Sequence, residues 1–204
     1  LRLIAREKEM AKLVQSDLMT LESYARARNA IRAEVMAHKR NRNVALGNHV
    51  TLIFEDEQTI RYQVQEMLRA EKIFEEDGIR DEIDAYNPLI PDGCNWKATM
   101  MIEYEDIDER RRMLTRLVGI EDRIWVRVEG FERVFAIADE DLERATEQKT
   151  SAVHFLRFEL TTEMSLALER GSALSMGVDH PAYRVILDSV PPAVHDSLLR
   201  DLQG

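Results

Sequence analysis

Apolar positions recur at helical spacing through most of the first half of the chain and alternate at strand spacing through much of the second. Residues 1–15 read as a charged, weakly amphipathic helix. Ser16 as N-cap, with Asp17 in the first turn, predicts a helix over 17–41. NVALGNHVTLIFED (43–56) is β-rich, and Gly47-Asn48 are placed for a turn or bulge. A helix follows over 57–76, Asp77-Gly78 breaks it, and a second helical piece runs to Tyr86. NPLIPDG (87–93) holds two prolines and a glycine and cannot continue a helix.

Beyond that loop, WKATMMIEY (96–104) reads as a strand and DERRRMLTRLVG (108–119) as a short helix stopped by Gly119. RIWVRVEGFERVFAIAD (123–139) predicts a hairpin turning at Glu129-Gly130. Strands are expected at 150–160 and 173–181, with a capped helix over 161–171 between them. A final helix over 191–202 begins at proline. Helices first and strands later predict the α+β class, with an antiparallel or mixed sheet covered on one side by helices. One domain is expected over 16–204, preceded by a helical extension over 1–15.

Several polar residues break these patterns. With Ile60 as reference on a helical wheel, Val64, Met67 and Phe74 fall within about 40° of it, and Glu71 lies among them. Arg28 lies among Leu21, Tyr24, Ile31 and Val35 on the first long helix. Packing those faces together predicts a buried Arg28–Glu71 pair. Gln63, Gln65, Glu66 and Arg69 lie away from the Ile60 face and read as solvated, with Glu66 and Arg69 spaced for an i,i+3 pair.

Strand parity singles out more. His154 alternates with Ala152, Leu156, Phe158 and Leu160, while Arg157 and Glu159 share the opposite face. His180 alternates with Leu174, Met176 and Val178, and Asp179 takes the other phase. His49 alternates with Thr51, Ile53 and Glu55. Glu71, His154 and His180 are therefore candidate ligands for iron, zinc or manganese, with Arg28, His49, Arg157 and Asp179 as candidate binding residues. No HExxH, CxxC pair or Glu-x-x-His repeat accompanies them, and the reading that each histidine is a hydrogen-bonded core residue stands beside the metal one.

Composition narrows the classes. The net charge of −10 opposes non-specific nucleic-acid binding, which leaves HKRNRN (38–43) and ERRRMLTR (109–116) as the local basic clusters. The one cysteine, Cys94, cannot form an internal disulfide; it reads as an inert thiol in a reducing, cytoplasmic setting. No apolar run reaches the ~18 residues of a membrane span. No glycine-rich phosphate cradle occurs.

The runs GNHVTLIFE, YQVQEMLRAE, DAYNPLIPDG, KATMMIEY, KTSAVHFLRFEL and GVDHPAY resemble the bacterial domain-of-unknown-function family numbered 3501, over roughly residues 17–202. The resemblance implies a gene context of rubrerythrin-like and iron–sulfur redox proteins, and it supplies no catalytic residues. Three functions follow in order: an accessory partner of an iron-dependent redox or peroxide-response system, a metal-binding protein or metalloenzyme, and a nucleic-acid binder through basic helices. Assembly of the chain with itself stays open.

Overall fold

Among the described residues, nine strands form two antiparallel sheets around one core. The computed structural model describes residues 12–142, 144–146 and 148–202. The 1–15 extension therefore lies mostly outside the described residues. The 43–56 segment folds as a hairpin, β1 (Asn43–Leu46) and β2 (Val50–Glu55). Its turn needs Gly47, which has φ +77°, and a Cβ there would press on the Tyr183 hydroxyl. β3 (Asn95–Ile102) pairs with β2, and β7 (Val153–Glu159) pairs with β3. Together with β6 (Ile137–Ala138) these make the first sheet, in the order β1-β2-β3-β7-β6. The second sheet has the order β5-β4-β8-β9, from β4 (Ile124–Val128), β5 (Val134–Phe135), β8 (Leu174–His180) and β9 (Tyr183–Leu187).

The 123–139 segment is more than the single hairpin its pattern predicts. β5 pairs with β4 in one sheet, and β6 pairs with β7 in the other. Ala136 marks the crossing and donates its N–H to Ile124 O. The sheets also meet where β1 lies beside β9: the Tyr183 hydroxyl donates to Leu46 O at 2.7 Å. Inward residues of both sheets, among them Phe54, Trp96, Met100, Phe158, Val126 and Met176, share one cluster. It is completed by Leu114 and Leu117 at α4 (Ile107–Arg116), Leu168 of α5 (Thr162–Glu169) and Leu198 of α6 (Pro192–Leu199).

A smaller second core joins Leu13, Ile60, Val64, Leu68, Ile83 and Ile90. It is built by α2 (Glu57–Glu71), α3 (Glu76–Tyr86), the N-terminal segment and the 87–90 turn. α1 (Leu21–Lys39) packs on α2 and buries only Tyr24 and Val35. Its cap is Thr20, whose hydroxyl accepts from Ser23 N, and not Ser16. α2 stops at Glu71, five residues earlier than its pattern suggests, because Lys72 adopts φ 58°. Lys72 N and Ile73 N both donate to Leu68 O, a left-handed helix stop. Gly78, read as a breaker, lies inside α3.

Candidate functional site

Arg28 makes its ion pair with Glu66, not with Glu71. Its Nε and Nη2 donate to the two Glu66 oxygens at 2.8 and 2.6 Å, and the Tyr24 hydroxyl donates to Glu66 Oε1 at 2.5 Å. The Arg28 hydrogen bonds, against opposing burial, hold the Glu66 carboxyl at about 2. Gln65, also read as solvated, is buried and clasps the Met19 backbone through both amide atoms. α2 has two working faces. Ile60, Val64 and Leu68 serve the second core, and the polar flank beside them meets α1. Glu71 sits exposed at the helix end.

The two histidines of the predicted metal set are inside, as strand parity predicts, but their ring nitrogens are already engaged. His154, fully buried, has Nδ1 at 2.6 Å from Asp139 Oδ2 and Nε2 at 2.8 Å from Thr150 Oγ1. Thr150 in turn donates to Glu121 at 3.1 Å. Asp139 is held by Phe155 N and Arg144 and adopts φ 49° to reach the ring. His180 donates from Nε2 to Val118 O and accepts Ala182 N at Nδ1, both at 3.1 Å. A metal ligand needs a free nitrogen lone pair, and Glu71 is exposed far along a separate helix. No group of three His, Cys, Asp or Glu is placed to hold a metal among the described residues. The predicted Glu71, His154, His180 set is thus not assembled. Arg157 pairs with Glu140 and Glu159, and Asp179 with Arg133 and Arg184, on the outer faces of the two sheets.

Arg42, read as part of a basic cluster, is 1% exposed. Its Nε donates to Phe54 O, and its Nη2 to Glu55 O and Asp201 Oδ2. Asp56 lies 3.4 Å from Nε and 2.5 Å from His38 Nε2. Burial opposes ionisation of Asp56, but Arg42, the Thr59 amide and His38 hold its carboxyl below the usual range. At Asp201 burial wins over Arg42 and pushes the carboxyl up to about 6. Two signals mark this cluster in the sequence. Arg42 shares the strand phase of Val44 and Leu46, and Asp201 falls on the helical stripe of Val194, Ser197, Leu198 and Leu202. His38 and Arg42 are spent internally, which shrinks the first basic cluster.

Of the sequence-chosen histidines, His49 is the one that lines an open cleft. It closes the β1–β2 turn, where its N–H donates to the Tyr183 hydroxyl at 3.1 Å. Its ring stacks on Tyr104, centroids 4.0 Å apart and planes 12° from parallel. Nδ1 lies 2.9 Å from Glu103 O, a carbonyl that can only accept, so Nδ1 carries the proton. Nε2 has no hydrogen-bond partner among the described residues. Thr51 Oγ1 donates to Glu103 Oε2 at 3.0 Å, steadying the same strand end. The rings floor a cleft of about 760 Å³ whose rim carries Glu103, Glu105, Glu109 and Arg110. Its lining includes no serine, threonine or cysteine. The arrangement offers an aromatic platform, one oriented and unpartnered ring nitrogen and a mainly acidic rim.

Fold and site define an α+β protein, with two antiparallel sheets and six α-helices among the described residues and a histidine-floored surface cleft. No helix among the described residues is long and apolar enough to cross a membrane. The chain belongs to the family described as Protein of unknown function (DUF3501), whose model matches residues 12–202. A crystal structure from Burkholderia pseudomallei K96243, described as a novel protein of unknown function, is 56% identical. It covers 95% of this chain and 100% of its own, with a TM-score of 0.90. No curated protein matches the chain.

Proposed function

We propose that the chain is a binding protein, an accessory partner of an iron-dependent redox or peroxide-response system, which receives a basic segment of its partner in the His49–Tyr104 cleft. One observation carries the reading: the His49 ring is held on Tyr104 and on Glu103 O, and its unspent Nε2 faces an open cleft. Aromatic platforms with an oriented polar atom suit recognition. Carboxylates at a rim steer a basic partner and speed its arrival.

The experiment is surface plasmon resonance of the immobilised chain against the rubrerythrin-like and iron–sulfur redox proteins of the same organism. One of them is expected to bind, and His49→Ala or Tyr104→Ala is expected to weaken that binding by about tenfold or more, the scale of an interface hot spot. Absence of binding to both proteins, or equal binding by the variants, refutes the reading.

A further inference from the structure

A second cavity, of about 250 Å³, is lined by the 87–92 segment together with Lys12 and Lys97. At ~30 Å³ per water it has room for roughly eight waters, or a small organic molecule. Pro88, Ile90 and Pro91 give it apolar walls. Its other polar groups are already satisfied. Asn87 accepts from Leu13 N at 2.9 Å and donates to Leu13 O at 3.1 Å. Asp92 accepts from Cys94 N at 3.1 Å and from Asn95 Nδ2 at 2.8 Å.

Lys97 is the anomaly. It lies half-buried on β3, between Glu55 of β2 and Arg157 of β7 in register. Glu55 is the obvious counter-ion, but its two oxygens take the hydroxyls of Thr99 and Thr59 at 2.7 and 2.6 Å. Arg157 repels it and is itself paired with Glu140 and Glu159. Lys97 therefore has no hydrogen-bond or ion-pair partner among the described residues, and neither has Lys12. Burial, and then the Arg157 guanidinium, push the Lys97 ammonium below its ordinary range. Glu140, Asp92 and Glu159 offset part of this, and Asp92 lines the same cavity, but none of them is paired with Lys97, so its three donors at the edge of the apolar walls stay without an acceptor.

We propose that Lys97, with Lys12, holds a small organic anion in this cavity: a carboxylate or phosphate group on the two ammonium groups, its short apolar body against Pro88, Ile90 and Pro91. The site is separate from the His49 cleft and shares no lining residue with it.

The test is isothermal titration of the full chain with hexanoate and, separately, with inorganic phosphate, in low-chloride buffer. One saturable site is expected for at least one probe. Lys97→Met is expected to weaken it about tenfold or more, Lys97→Arg to keep most of it, and His49→Ala to leave it unchanged. Tighter binding of hexanoate assigns a carboxylate ligand; tighter binding of phosphate assigns a phosphorylated one. No saturation by either probe in the tens of millimolar range, or equal binding by Lys97→Met, overturns the proposal. Should Lys97→Met fail to fold, the exposed Lys12→Met carries the same comparison.

Discussion

Glu66 and Glu71 differ by five positions and by everything in their surroundings. The helical count that placed Glu71 on the apolar side took Ile60 as its only reference. It could not register that α1 packs on the flank carrying Gln65 and Glu66, because a helix with two partners has no single apolar direction. Arg28 was legible as a buried-side cation, but its partner was not. The pair predicts a pH dependence with a definite sign. Glu66 falls from an ordinary 4.5 to about 2 in the fold, so its stabilisation is complete above pH 4.5 and is lost as pH falls towards 2. Glu66→Gln is expected to lower Tm by roughly 2–4 °C at pH 7, the smaller scale that suits a half-exposed pair. Thermal melts in steps from pH 7 to pH 2 should show the gap closing below pH 4.5. A gap that stays constant to pH 2 would assign the loss to packing instead.

Strands were more legible than their partners. Alternation alone placed His154 and His180 on the apolar phase, and both are buried; Arg157 and Asp179, put on the opposite phase, pair on the outer faces. What alternation cannot carry is sheet membership, so the 123–139 segment read as one hairpin although Ala136 hands it from one sheet to the other. Helix ends were blurred for a related reason: the left-handed stop at Lys72 uses a residue with no stop signature. The β4–β8 pair shows how tightly the second sheet is filled. Trp125 lies across Gly177, with the Arg133 guanidinium 4.3 Å above its ring. A Cβ on Gly177 would press into that indole and come within 2.5 Å of Val185 O, a backbone atom with little room to yield. Gly177→Ala is therefore expected to destabilise by about 2–3 kcal/mol, the upper part of the overpacking range. Urea denaturation followed by tryptophan fluorescence measures it, and a change within experimental error would show that β8 and β9 can part.

At the scale of the whole molecule, Arg42 joins the strand that opens the first sheet to the far end of the chain. Asp201 and the Ser197 carbonyl receive its Nη1 at 3.2 and 3.3 Å. The Trp96 indole N–H is capped by Leu198 O at 2.9 Å. Asp201→Ala would leave the buried guanidinium with Asp56 alone, at 3.4 Å from Nε, as charge partner, and is expected to cost about 3 kcal/mol, the low end for breaking a buried pair. Replacing both, Arg42→Met with Asp201→Leu, is expected to recover most of that loss in chemical denaturation, since the buried pair itself adds little net stability. A double variant as weak as Asp201→Ala would show that Arg42 is needed for its backbone hydrogen bonds.

The same clamp sets an order of events during synthesis. Arg42 and Asp201 are 159 residues apart in the chain. At roughly 5–20 residues per second a ribosome needs ~8–32 s to make the stretch between them. Through that interval the Arg42 guanidinium lacks Asp201, and Trp96, once made, lacks its Leu198 cap. The two sheets can begin to gather early, but the clamp between them and the last helix closes only when Asp201 arrives, so a nascent chain stalled short of Ser197 lacks it altogether.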